Sequence, residues 1–194
     1  MASRMSMTWD TPREVLDALR LMRRELVRAD EDLYAWKWVV IATHNAIQRA
    51  MVASLAAVDI SATLTAESAK CLEEAMRKPG TFWDPFLVSF MTLYRRIKSH
   101  FGFVPPSGFK GELKRLNGFR NSFIHFSDSN QAILVEGFPD LLLTVIALVK
   151  FCSLEGVRTL WETAELQQVC QAVYDDCVVL LQRHMRDYEA LLRT

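Results

Sequence analysis

From about Asp32 to Ala57 the chain runs without a glycine or a proline, and its apolar residues cover most of the circumference of a helix. A helix apolar on nearly every side cannot lie on a surface; it must be surrounded. The segments around it carry their own helical punctuation. Thr11-Pro12-Arg13-Glu14 joins an N-cap, a proline at the first helical position and the glutamate of a capping box. It predicts a helix to about Arg28, with Val15, Ala18, Leu19, Met22 and Leu26 at helical spacing. Thr65 caps a third helix to about Lys78, stopped by Pro79-Gly80. Pro85 opens a fourth, to about His100, and Gly102 to Gly108 with Pro105-Pro106 reads as a loop. A fifth helix follows from about Lys110 to Ser127. Gln131 to Gly137 reads either as a short extended segment or as irregular chain, and Pro139 opens a helix to about Leu154. The last, about 158–193, keeps Leu160, Ala164, Val169, Val173, Cys177, Leu180 and Leu181 on an amphipathic pattern. The expectation is all-α: an up-and-down bundle of six to seven helices in one domain, 1–194. Its core spans about 10–150, and the long C-terminal helix packs back on it.

Several classes are set aside on composition. With 51% hydrophobic and 24% charged residues the chain is globular and not disordered. Cys71, Cys152, Cys170 and Cys177 have no ligand spacing, so neither a metal nor another cofactor is expected. Cys170 and Cys177, seven apart, share a helix face and read as packed thiols. No stretch reads as a secretory signal or a membrane span; the longest apolar run, Leu141 to Cys152, is interrupted by Thr144 and Lys150. A soluble protein of the reducing cytoplasm is expected.

The chemistry concentrates in Arg120-Asn121-Ser122-Phe123-Ile124-His125. These residues place a fixed cation, an amide and a titratable base within two helical turns, which are the parts needed to cleave a phosphodiester without a metal. On a wheel of about 100° per residue, Leu116, Phe119, Phe123 and Phe126 form one apolar stripe. With Phe119 as zero, Lys110, Lys114, Asn117, Asn121 and His125 fall between about 160° and 240°, opposite it. Arg120 sits at the stripe's edge, at about 100°. Charge gathers at the same place although the net charge is zero: residues 95–120 carry seven basic side chains against Glu112 alone. Such clustering suits a polyanion; a basic helix end paired with acidic neighbours would look the same.

Arg120-Asn121-x-x-x-His125 resembles the R-polar-x-x-x-H signature of the HEPN superfamily, small all-helical domains that include many prokaryotic ribonucleases. The longer stretch Leu116-Asn117-Gly118-Phe119-Arg120-Asn121-Ser122-Phe123-Ile124-His125-Phe126 resembles the version in a bacterial HEPN-like group. So does Trp36-Lys37-Trp38-Val39-Val40-Ile41-Ala42-Thr43-His44-Asn45-Ala46-Ile47-Gln48. The resemblance covers about residues 10–150 and implies a metal-independent endoribonuclease leaving 2′,3′-cyclic phosphate ends. In it His125 moves protons, Arg120 binds the phosphate and Asn121 orients His125 or touches the phosphate. Lys110, Lys114, Arg115 and Asn117 are the expected RNA- and phosphate-binding residues. One chain supplies one motif histidine and acid-plus-base catalysis needs two, so a homodimer with facing motif helices is expected. RNA and a regulatory protein are further expected partners, and no membrane is. The alternative is a non-catalytic HEPN-like module that binds nucleotide, RNA or protein, or dimerises.

His44 and Asn45 lie mid-helix in an apolar run and are expected to be buried or half-buried. They either hydrogen-bond another helix or line the cleft beside Arg120 and His125. Trp36 and Trp38 read as packing residues, and His100 and His184 carry no signal. A helix-turn-helix DNA binder is disfavoured because the basic cluster straddles a Pro-rich loop.

Overall fold

The computed structural model describes residues 11–78, 86–124, 132–156 and 161–193, and among these the chain is an all-α bundle of seven helices. They are α1 (Thr11–Arg28), α2 (Ala35–Ala56), α3 (Ala66–Arg77), α4 (Phe90–Phe101), α5 (Phe109–Ile124), α6 (Phe138–Lys150) and α7 (Ala164–Leu191). A 3-10 turn, Ile60–Thr63, follows α2, and a π-helical turn, Phe151–Gly156, prolongs α6. No described helix is long and apolar enough to cross a membrane.

The all-round apolar character of α2 has the consequence expected of it: it packs against α1, α4, α5 and α6. Val39, Val40, Ala42, Ala46, Ile47, Ala50 and Met51 are fully buried. Complete burial of a valine, isoleucine or methionine side chain is worth about 1.5–3 kcal/mol. From α1, Val15, Leu16, Leu19, Met22 and Leu26 join the same core; from α7 come Cys170, Val173, Tyr174, Cys177 and Leu181. The two cysteines are therefore packed thiols on one face, as their spacing predicts. Polar contacts seat α7 as well. His184 Nε2 donates to Leu26 O at 2.8 Å, Trp36 Nε1 donates to the Tyr188 hydroxyl at 2.8 Å, and Arg183 pairs with Asp30 at 2.6 Å. Trp36 is a packing residue as expected, whereas Trp38 is 44% exposed with Lys37 Nζ 5.5 Å from its ring centroid.

Three boundaries differ from the sequence expectation. Asp32 precedes α2 without joining it, because its side chain accepts from the Tyr34 N–H at 2.9 Å in a local turn. The fourth helix starts at Phe90 and not beside Pro85, since the chain ahead of it is held extended. Thr65 N donates to Phe86 O, Val88 N to Thr63 O and Phe86 N to Ser68 Oγ, each within 3.0 Å, and Leu64 and Leu87 form an antiparallel bridge. Arg96 fastens this strap from α4 by donating to the carbonyls of Ala62 and Leu64. The last helix starts at Ala164, where Thr163 Oγ1 accepts from Leu166 N at 3.2 Å. Trp161 before it is buried, with Nε1 donating to Ser153 O at 2.6 Å, which keeps 161–163 outside the helix. The predicted stop at Pro79-Gly80, the start at Pro85, the end of the motif helix at 125–127 and residues 158–160 lie outside the described residues.

Candidate functional site

The site grows out of the way α5 meets α2. Phe109, Leu113 and Leu116 are the fully buried residues of α5, spaced four and three apart. The next step of four is Arg120. Arg120 thus continues the core-facing row of α5 and is not at its edge, which corrects a wheel centred on Phe119. Phe119 and Phe123 flank that row, half-buried and stacked at 6.3 Å, and Phe119 sets its edge against Phe138 at 5.0 Å. A guanidinium carried on an inward row must find polar surroundings. Arg120 Nη1 donates to the Asn121 side-chain Oδ1 at 3.1 Å, while its buried Nε has no hydrogen-bond partner among the described residues.

Facing this end of α5 is His44 of α2. His44 is buried, stacked on Phe90 with ring centroids 4.2 Å apart, and its Nε2 lies 3.1 Å from Asn117 Oδ1. Because Oδ1 can only accept, Nε2 carries the proton and donates. Burial drives the His44 imidazole down to about 4; the Asn117 hydrogen bond opposes this, the Arg120 charge adds to the fall, and the Asn45 amide opposes it weakly. His44 is therefore neutral at neutral pH. It is the structural hydrogen bond to another helix that was one of its two readings. Asn45 takes the other: it is exposed and lines a cleft together with Arg120. The expectation that Asn45 is buried or half-buried fails because its side of α2 faces this cleft and not the core.

The cleft encloses about 510 Å³ between α1, α2 and α5. Its polar wall consists of Glu14, Asp17, Asn45, Gln48, Arg49 and Arg120. Glu14 and Arg49 form an ion pair at 2.7 Å across the α1–α2 seam, and Asp17 pairs with Arg20 at 3.1 Å. Ala18, Leu21 and Leu87 supply the apolar surface.

The sequence-predicted residues separate into two groups. Arg120 lines the cleft, Asn121 is exposed beside it and Asn117 holds His44. Lys110 and Lys114 are exposed, on the side of α5 turned away from the cleft wall. Arg115 is engaged by Glu112 at 2.7 Å, and Arg96, counted in the basic cluster, serves the strap. His125 lies outside the described residues. Sequence reasoning missed Glu14, Asp17, Gln48 and Arg49 as site residues. For Gln48 and Arg49 a signal was present, since they share one face of a largely apolar helix with Asn45 at spacings of three and four.

Comparison with family models, with curated proteins and with solved structures returns no match to this chain.

Proposed function

We propose that this chain is a metal-independent endoribonuclease of HEPN type that works through a composite site in a homodimer. The observation that carries the reading is Arg120. A guanidinium on the inward row of α5, with its Nε buried and without a partner among the described residues and its side chain lining a polar cleft, is poorly explained as a structural cation. It is well explained as an anion receptor, since the planar fork matches a phosphate bidentately. The sequence then supplies the base, with His125 immediately following the last described residue of α5.

In this mechanism His125 accepts the proton of a ribose 2′-hydroxyl, and O2′ attacks the adjacent phosphorus. The P–O5′ bond breaks, giving a 2′,3′-cyclic phosphate and a 5′-hydroxyl. The leaving oxygen takes its proton from His125 of a second copy, so the two motifs act as base and acid. Arg120 stabilises the charge that builds on the phosphoryl oxygens in the transition state, and Asn121, already accepting from Arg120 Nη1, steadies the fork. His44 is a poor candidate for the acid role at neutral pH, because a histidine titrating at about 4 is neutral there and its one N–H is engaged by Asn117. Lys110 and Lys114 hold flanking phosphates of the RNA backbone.

One observation favours a second reading, a non-catalytic binding or dimerisation module. A groove of about 680 Å³ beside the motif end of α5 is lined by Trp36, Phe123 and Phe138 together with the exposed Leu33, Tyr34 and Leu134. Cleavage of a mixed RNA pool in EDTA separates the two. Wild type is run beside Arg120→Ala and His125→Ala, with fold and oligomeric state checked for each. Cuts ending in cyclic phosphate, lost in both folded variants, support the ribonuclease. No cutting by wild type, with dimer loss in the variants, sinks it in favour of the module.

A further inference from the structure

Two asparagines one turn apart on α5 have their carboxamides oriented by internal donors. Asn121 Oδ1 accepts from Arg120 Nη1 at 3.1 Å, and a guanidinium can only donate, so the Asn121 Nδ2 group is turned the other way. Asn117 Oδ1 lies 3.1 Å from His44 Nε2, and here the histidine decides the orientation. With the proton on Nδ1 instead, Nε2 would accept from the Asn117 amide and a buried N–H would be orphaned, since Nδ1 has no hydrogen-bond partner among the described residues. An orphaned buried N–H is a rarer defect than an unused acceptor, and the Arg120 charge felt by the ring adds to its cost. The ring cannot swing away, being 2% exposed and stacked on Phe90 at 4.2 Å. Asn117 itself is half-buried; its Nδ2 has no partner among the described residues and is not an enclosed atom.

On the helix wheel Arg120 stands about 60° to one side of Asn117 and Asn121 about 40° to the other. At three and four residues both are its neighbours, with Cβ atoms about 5–6 Å away. Within one turn, three side chains therefore present N–H groups and no free acceptor. Glu14 and Asp17 lie on the cleft side of Arg120, and neither asparagine lines that cleft. A face that only donates suits a group that only accepts. A hydroxyl or an amide, carrying hydrogens of its own, matches it less well than an ionised oxyanion.

From this juxtaposition we infer that Asn117, Arg120 and Asn121 form an oxyanion receptor and that His44 is its positioning residue, holding the Asn117 carboxamide with its N–H groups toward the anion. The inference rests on the ribonuclease reading for the identity of the anion, a phosphodiester. It adds to that reading a third donor and the residue that orients it.

The test titrates the full-length protein with inorganic phosphate and follows, by NMR, the side-chain amides of Asn117 and Asn121 and the ring nitrogens of His44. The same proteins are run on the RNA pool in EDTA. They are wild type, His44→Gln, which keeps an amide donor, His44→Leu, which keeps bulk without one, and Asn117→Asp, which keeps the acceptor and replaces the N–H groups by charge. The expected result is a His44 ring protonated on Nε2 and both amides moving on one saturation curve. Phosphate affinity should fall on the order of tenfold or more in His44→Leu and Asn117→Asp and return in His44→Gln. Should His44→Leu fail to fold, the wild-type resonances and Asn117→Asp decide. A ring protonated on Nδ1, or phosphate binding that leaves the Asn117 amide unmoved, overturns the receptor. Equal binding by folded His44→Leu and wild type overturns the role of His44, because a merely structural histidine would change stability alone. RNA cutting at the wild-type rate by Asn117→Asp overturns the receptor and leaves the ribonuclease intact. Phosphate binding with the expected variant pattern but no cutting keeps the receptor and overturns the ribonuclease. Neither binding nor cutting overturns both.

Discussion

Acid should weaken this fold through one side chain, His44, by an amount that follows from its surroundings. The imidazole is buried against Phe90, donates to Asn117 and lies near the Arg120 charge; it titrates at about 4, against about 6.5 for a histidine in the unfolded chain. A base whose folded value is lowered is favoured in its neutral form by folding. Its contribution to stability is therefore complete above pH 6.5 and is lost as pH falls toward the folded value. The full span of the shift corresponds to about 3 kcal/mol, and linkage places about 2 kcal/mol of that loss between pH 7 and pH 5. The comparison protein is His44→Gln, which offers Asn117 an amide donor and has no charge to gain. Urea unfolding of both proteins at half-unit steps from pH 7 to 5 isolates the effect, since carboxylates and the other histidines titrate in both and cancel in the difference. With a urea dependence of about 2 kcal/mol/M or somewhat more, the wild-type midpoint should fall by on the order of 1 M relative to the variant. Parallel midpoints across this range would refute the assignment of His44 as a buried neutral histidine.

Other expectations are simpler to state. If the proposed ribonuclease reading holds, Arg120→Lys, which keeps the charge and loses the fork, should reduce RNA cleavage on the order of a hundredfold while leaving the circular dichroism spectrum unchanged, as removal of a transition-state donor commonly does. Cys152, Cys170 and Cys177 are buried with thiols pushed up to about 12, and Cys71 is exposed; a thiol-reactive chromophore should therefore count one fast cysteine in the native protein and four in denaturant. Thr163→Ala removes the side-chain acceptor at the start of α7 and should cost about 1 kcal/mol in chemical denaturation. In Trp36→Phe with Tyr188→Phe, a double-mutant cycle should return a coupling of about 1 kcal/mol for the 2.8 Å hydrogen bond that helps seat α7.

What was legible in the sequence is what depends on neighbours along the chain. Thr65 begins α3 because a threonine can cap locally, accepting from Ser68 N, and the 3.6-residue period of α1 shows its buried face without reference to anything else. What was missed depends on contacts between distant segments. Pro85 permits a helix start, but Phe86 and Val88 are claimed by Thr63 and Thr65, more than twenty residues away, and the helix waits until Phe90. The wheel for α5 drew its stripe through three phenylalanines and began one residue too late, at Lys110. Leaving out Phe109 hid the first turn of the row that Leu113, Leu116 and Arg120 continue. Asn45 was expected to be covered because everything around it is apolar, yet which side of α2 stays open is decided by how α1 and α5 pack on it. No local period carries that information.

On the proposed ribonuclease reading, the rotation of α5 limits how an RNA strand could use it. Arg120 shares a row with Leu113, while Lys110 and Lys114 stand about 80–120° around the helix from it. A single phosphate cannot be held by that guanidinium and by those ammonium groups together. The lysines, exposed and on the outer side, would then serve long-range attraction and neighbouring phosphates, where the benefit is salt-dependent and indifferent to sequence. Arg120, part-buried in the cleft, would on that reading make a contact that is shorter, more directional and less screened. Basic residues that look like one cluster along the chain therefore divide in space into attraction and recognition. Only the second kind can distinguish one phosphodiester from its neighbours.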